Sequence, residues 1–160
     1  MKKYILLLIA VTLFYASCSK SKDAEALPSP SIQLGEDLKV INKFIADNKL
    51  SVTNLAPTGI YYHISDSGNT QSRPTTLSFI TTRYTGRLLN GTTFTHQDSA
   101  KFELRYALPG FQLGLPLIGK GGKIRLILPS GYAYDRQGSN DKLVAPNEVV
   151  EFDVEILDFK

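Results

Sequence analysis

From residue 59 onward the chain alternates between apolar and polar positions. In "GIYYHIS" (59–65), "GGKIRLILP" (121–129) and "EVVEFDVEIL" (148–157) the side chains change character every second residue. That is the period of a strand with one buried face. "TLSFITTRYTGRLL" (76–89) is a long β-branched and aromatic run, and "KFELRYAL" (101–108) is a further strand candidate. Asn90–Gly91 stands between the long run and "TTF". Asn-Gly in that setting predicts a tight hairpin, since both residues tolerate positive φ. Strands with little helix between them imply an antiparallel sheet.

Two stretches follow a helical period instead. Leu38, Ile41, Ile45 and Leu50, with Phe44 beside them, predict a helix over Asp37–Lys49. The acidic groups of Gly35–Glu36–Asp37 suit its first turn. Its apolar stripe packs on the domain or serves a partner such as a second copy. Phe111, Leu115 and Ile118, within "PGFQLGLPLIGKGG" (109–122), suit one short helix that Pro116 enters in its first turn or breaks. Gly119, Gly121 and Gly122 read as a tight turn into the next strand, and "SDSGNTQSRP" (65–74) as a loop. A short helix facing a twisted sheet leaves an apolar hollow suited to a small site.

The N-terminus has another character. Met1–Lys2–Lys3 is basic, Tyr4 to Tyr15 is almost wholly apolar, and Ala16–Ser17–Cys18 follows with small residues. This order is that of a secretory signal, and the apolar run is too short to span a bilayer. Cys18 is the only cysteine, so it has no disulfide partner within the chain. "SKSKDAEALPSPS" (19–31) reads as a flexible tether. The remainder suffices for one domain with one core. The net charge of +3 includes two N-terminal lysines, and no later Lys/Arg block points to nucleic acid.

Familiar catalytic constellations are missing. The only histidines are His63, in an expected strand, and His96, just past the hairpin and read as a solvated loop residue. Neither forms a base–nucleophile arrangement with a third group, and there is no Gly-x-Ser-x-Gly elbow. Two separated histidines and no cysteine pair match no zinc spacing. "DSGNTQS" lacks the acidic count of a calcium loop, and "GKGGK" lacks the Gly-Lys-Ser/Thr ending of a phosphate loop. No metal or cofactor is expected. What remains is aromatic: Tyr84, Phe94, Phe102, Phe111, Tyr132, Tyr134 and Phe152. By composition alone they are core residues of a sheet protein.

Their order changes that weighting. "RYTGRLLNGTTF" (83–94), "ALPGFQLGLPLIGKGGKIRLILPSGYAY" (107–134) and "VAPNEVVEFDVEILDF" (144–159) resemble, in turn, three blocks of the FKBP-type peptidyl-prolyl cis–trans isomerases. These are the Tyr-Thr-Gly hairpin, the Val-Ile-x-Gly-Trp helix with its strand ending in Ala-Tyr, and the closing Phe-Asp-Val-Glu strand. The helix before "TGIYYHI" resembles the N-terminal extension of exported bacterial members. Cys18 after "YAS" resembles a lipobox, with Tyr15 in place of the usual leucine.

The resemblance implies an α+β fold, a twisted antiparallel sheet wrapped on one short α-helix. It implies a signal over 1–17, a lipidated Cys18 and tether over 18–34, a helix and linker over 35–58, and the isomerase domain over 59–160. It assigns Tyr134, Tyr84, Phe94, Phe111 and Phe152 to the catalytic pocket. Thr95, Ala107, Leu108 and Val144 become substrate contacts, with Ala107 at a backbone-donor position. The implied activity is isomerisation of X–Pro bonds in envelope proteins by a lipid-anchored, exported enzyme without cofactor. The alternative is a low-turnover chaperone or binding module on the same fold. Phe111 stands where the family commonly has tryptophan, which implies weaker macrolide binding. Thr95 stands where the family usually has aspartate, and Asp98 is the nearest carboxylate.

Overall fold

The computed structural model describes residues 30–160; the expected signal, Cys18 and residues 19–29 of the tether lie outside the described residues. Six strands form one sheet: β1 (Thr53–Leu55), β2 (Ile60–Asp66), β3 (Phe79–Leu88), β4 (Thr93–Glu103), β5 (Lys123–Leu128) and β6 (Val150–Phe159). Their order is β1-β2-β5-β6-β3-β4, and every neighbouring pair is antiparallel. Helix α1 (Pro30–Asp47) lies against one face and the short α2 (Pro109–Gly114) against the other.

This two-sided cover explains the pattern of β5. Ile124, Leu126 and Leu128 enter the main core with Phe111 and Leu115, whereas Ile127 packs with Ile41 of α1 and Val149 on the opposite face. Both faces are dry there, so the strand ends in an uninterrupted apolar run. Helix α2 approaches β5 closely because glycine recurs on its inner side. A Cβ at Gly110 or Gly114 would lie 2.5 or 2.6 Å from Leu128 or Leu126. Val150, Phe152, Val154 and Ile156 fill the core side of β6. The alternate residues Glu151, Asp153 and Glu155 pair with Arg125, Arg87 and Arg83 across the outer face.

Three expectations need correction. The helix predicted from Asp37 begins at Pro30, so residues 30–34, assigned to the tether, are helical. Proline is tolerated there because the N–H groups of a first turn have no intrahelical partner. At the hairpin, only Gly91 takes positive φ (89°). The connection is a three-residue loop closed by a 2.9 Å bond from the Gly91 N–H to Leu88 O, with Asn90 Oδ1 accepting from the Thr92 N–H. Beyond it, residues 93–103 form one edge strand rather than a strand, a loop and a strand. His96 is therefore a strand residue, exposed and 2.8 Å from Thr85 Oγ1.

Candidate active site

Where the sheet curls over α2, five elements converge on a hollow of about 200 Å³. β3 supplies Tyr84, β4 Phe102, β6 Phe152, α2 Phe111, and the turn after β5 Tyr134. Tyr106, Ala107 and Leu108, from the segment between β4 and α2, complete the rim. Phe111 and Phe152 form the floor, with ring centroids 4.9 Å apart at 80°. Tyr84 meets Phe111 at 5.7 Å and Phe152 at 6.0 Å, both edge-on. Edge-to-face packing directs ring hydrogens into neighbouring π faces and fixes each ring's tilt.

Gly86 permits this arrangement. It faces Thr95 of β4 and Phe152 of β6, and a Cβ there would lie 2.6 Å from both Phe94 and Phe152. Phe94 consequently lies in behind, 5.5 Å from Phe152 and 5.9 Å from Tyr134. On the other side, Pro129 ends β5 and starts a 3₁₀ turn, Ser130–Tyr132, in which the Tyr132 N–H donates to Pro129 O at 2.9 Å. Asp135 takes a left-handed φ of 51°, and the Gly138 N–H returns to Tyr134 O at 3.1 Å. This reversal holds Tyr134 over the hollow.

No side chain lining the hollow is a carboxylate, an amine, an imidazole or a thiol. Burial, aided by Tyr84 and Asp141, pushes the Tyr134 phenol from 10.0 up to about 12. It thus keeps its proton and remains a hydrogen-bond donor through the neutral range. A second donor is a backbone one. The Ala107 N–H is already bound to Leu104 O at 3.1 Å, contrary to the role expected for it. The Leu108 N–H has no such partner among the described residues. Gln112 Nε2 holds the segment by donating to Ala107 O at 2.9 Å and Arg105 O at 3.1 Å.

Of the expected residues, Tyr84, Phe111, Tyr134, Phe152, Ala107 and Leu108 line the hollow, and Phe94 buttresses it. Val144 does not; it is 1% exposed and belongs to the core beneath. Thr95 does not either, since it sits opposite Gly86 with its methyl group toward that backbone. Asp98 lies near Arg83 (3.7 Å) and His96 (3.4 Å), and it is absent from the lining. Two lining residues were not expected there. Composition assigns Phe102 to the core with the other aromatics, and Tyr106 falls in the strand candidate 101–108. Tyr106 is 76% exposed at the mouth, with the Arg105 guanidinium 4.7 Å from its ring centre. Its only sequence signal was its place directly before Ala107–Leu108.

The family model described as FKBP-type peptidyl-prolyl cis-trans isomerase matches residues 70–157, more than half of the chain. The chain is 35% identical over 107 residues to the FKBP-type peptidyl-prolyl cis-trans isomerase FkpA of Escherichia coli strain K12, covering 64% of this chain and 38% of that relative. The crystal structure of Escherichia coli FkpA superposes with a TM-score of 0.69 at 29% identity, covering 81% of this chain and 60% of that one. A peptidyl-prolyl cis-trans isomerase from Pseudomonas syringae pv. tomato gives a TM-score of 0.67 at 27% identity, over 83% of this chain and 98% of that one. The sequence match therefore spans well under half of FkpA, 38% of its length, while this chain contains the segment that the family model describes. With its sheet, helix and ring-lined hollow, the chain belongs to the FKBP-type peptidyl-prolyl cis–trans isomerase family.

Proposed function

We propose that this chain accelerates cis–trans isomerisation of X–Pro bonds in polypeptides of the bacterial cell envelope, held at a membrane through a lipid on Cys18. The observation that carries the activity is a neutral phenol, Tyr134, at the edge of a ring-lined hollow that contains no acid, base or nucleophile. Rotation about a peptide bond faces a barrier of about 18–20 kcal/mol because resonance holds the bond planar. The twisted transition state has lost that resonance, and its carbonyl is less polar. Rings of Tyr84, Phe111 and Phe152 exclude water and so disfavour the planar, more polar ground state. This is differential binding without a covalent step. The Tyr134 hydroxyl and the Leu108 N–H donate to carbonyls flanking the proline and hold its ring on the Phe111–Phe152 floor. At about 200 Å³ the hollow is smaller than the ~300–1,000 Å³ typical of drug-sized ligands and suits a single proline ring.

Export and anchoring rest on the sequence: the basic start, the short apolar run and Cys18. One observation favours a second reading, a low-turnover chaperone or binding module. Thr95 brings no charge to the hollow, and Asp98 is held near Arg83 and His96 instead. A protease-coupled assay on a short X–Pro peptide separates the two. Acceleration that falls about tenfold or more in Tyr134→Phe and disappears in Phe152→Ala is the expected result. Absence of acceleration, with client-holding activity untouched by both changes, establishes the binding module instead.

A further inference from the structure

We infer that Asp37 of α1 is a positioning residue for Tyr134: its buried carboxylate, bound to Ser130, fixes the turn that carries the phenol over the hollow. The inference rests on the isomerase reading above. Asp37 is 3% exposed although it belongs to a surface helix, and Ser130 is fully buried. Asp37 Oδ2 accepts from the Ser130 N–H at 2.8 Å and from Ser130 Oγ at 2.6 Å. Asp37 Oδ1 accepts from Gln33 Nε2 at 2.7 Å. A buried carboxylate is tolerated only when its oxygens are satisfied, and here both are, by neutral donors.

A leucine at this place would dock the helix without that desolvation. What the carboxylate adds is a fixed distance and direction to one residue. Ser130 opens the 3₁₀ turn, and its carbonyl accepts from the Ala133 N–H at 2.9 Å, directly before Tyr134. Packing on that side of the turn is loose. A crevice of about 370 Å³ runs between α1 and the turn beside the Asp37–Ser130 contact, bordered by Gln33, Leu34 and Asp37 on one side and Pro129, Gly131 and Tyr132 on the other. A Cβ at Gly131 would meet nothing within 4 Å. Tyr132 and Ala133 pack on the main core from the other side, so on the α1 side it is the hydrogen bonds of Asp37 that locate the turn. Helix α1 lies outside residues 70–157, so the link reaches the site from beyond the segment that defines the family.

A double-mutant cycle on the full-length chain tests this, with kcat/KM on an X–Pro peptide measured below the melting transition of every variant. Asp37→Ala leaves the Ser130 N–H and hydroxyl buried without an acceptor. It is expected to lower kcat/KM about tenfold, the order that misplacing a donor by a fraction of an ångström produces. In a Tyr134→Phe background the same change is expected to cost less than about twofold, because the group it positions is gone. Asp37→Asn keeps one acceptor for Ser130 and is expected to restore most of the rate. Ser130→Ala, which removes one donor and spares the backbone bond, keeps the test available should Asp37→Ala not fold. It is expected to show a smaller loss with the same dependence on Tyr134. Equal losses in both backgrounds, or no loss in either, overturn the inference while leaving the isomerase reading intact. Tyr134→Phe alone at the wild-type rate removes that reading of the phenol, and the inference with it.

Discussion

Gly86→Ala isolates the ring wall from every other feature of the site. Gly86 does not adopt positive φ, so alanine brings no backbone penalty. The whole effect is steric. The new methyl carbon would lie 2.6 Å from Phe152 Cε1, 2.6 Å from Phe94 Cζ and 2.8 Å from Thr95 Cγ2. Carbon pairs settle at about 3.5–4.0 Å, so both rings must retreat by roughly 1 Å. Neither has free space behind it: Phe152 is 1% exposed and packs on Phe111 at 4.9 Å, and Phe94 packs on Tyr134 at 5.9 Å. Overpacking of this kind costs about 1–3 kcal/mol. With an unfolding entropy of about 2.1 cal/mol/K per residue over about 130 residues, 2 kcal/mol lowers Tm by about 7 °C.

Activity should fall further than stability, since both displaced rings adjoin the place where a prolyl ring would sit. A shift of about 1 Å at a positioning surface costs on the order of a hundredfold in rate. Differential scanning calorimetry and the X–Pro peptide assay read the two effects. Gly91→Ala is the control. Its φ of 89° makes alanine strained, but nothing lies within 4 Å and Gly91 does not line the hollow. It should lower Tm and leave kcat/KM unchanged. A Gly86→Ala protein with wild-type rate and melting temperature would refute the packing argument, and with it the account of Phe94 and Phe152 as a rigid wall.

Four further predictions concern the polar edge and the floor. Tyr134→Phe should lower kcat/KM about tenfold or more with little change in Tm, read by the same two measurements, as for loss of one preorganised donor. In the wild type kcat/KM should stay level through the neutral range and decline only as the pH approaches 12. Since the folded environment raises the phenol above its unfolded value of 10.0, its contribution to stability is whole below pH 10.0 and is lost as pH climbs toward 12. Alkaline unfolding of wild type against Tyr134→Phe tests that sign, the difference appearing only in that window. Leu108→Pro removes the free N–H with little strain, because Leu108 has φ −51° and Ala107 is already extended at ψ 172°. Its kcat/KM should fall about tenfold below that of Leu108→Ala, and equal rates would exclude the N–H from substrate binding. Phe111→Trp should tighten macrolide binding by roughly two- to tenfold in titration calorimetry, and an unchanged affinity would show that ring size at the floor does not limit it.

How much of this was legible depended on whether a residue's environment repeats along the chain. β2, β5 and β6 alternate because one face of each meets the core through the length of the strand, and alternation survives in sequence. β4 is an edge strand, exposed at His96, Gln97, Asp98 and Ser99 and bulged against β3 in two places. A polar run exposed on both faces carries no period, so "THQDSAK" reads as a loop although it pairs with β3 on either side of a bulge at Asp98–Ser99. The start of α1 was hidden for a related reason. Pro30 and Ser31 resemble tether composition, and the helical register shows only once Leu34 and Leu38 reach Gly59 and Ile41 reaches the sheet.

The site divides along the same line. Tyr84, Phe94, Phe111, Tyr134 and Phe152 were found through short motifs, each a local run that includes the glycine or turn placing its ring. What sequence cannot carry is a contact made once between distant segments. Asp37 meets Ser130 across 93 residues, and nothing near either residue announces the other. The bond makes the turn after β5 depend on a helix that the ring motifs never mention. Seen this way, α1 is a second support for the phenol, opposite the ring wall that Gly86 admits. The two supports fail differently. Crowding at Gly86 displaces rings and costs stability and rate together. Cutting the Asp37 bond leaves the Phe111–Phe152 floor in place and costs rate only while Tyr134 has a hydroxyl to aim.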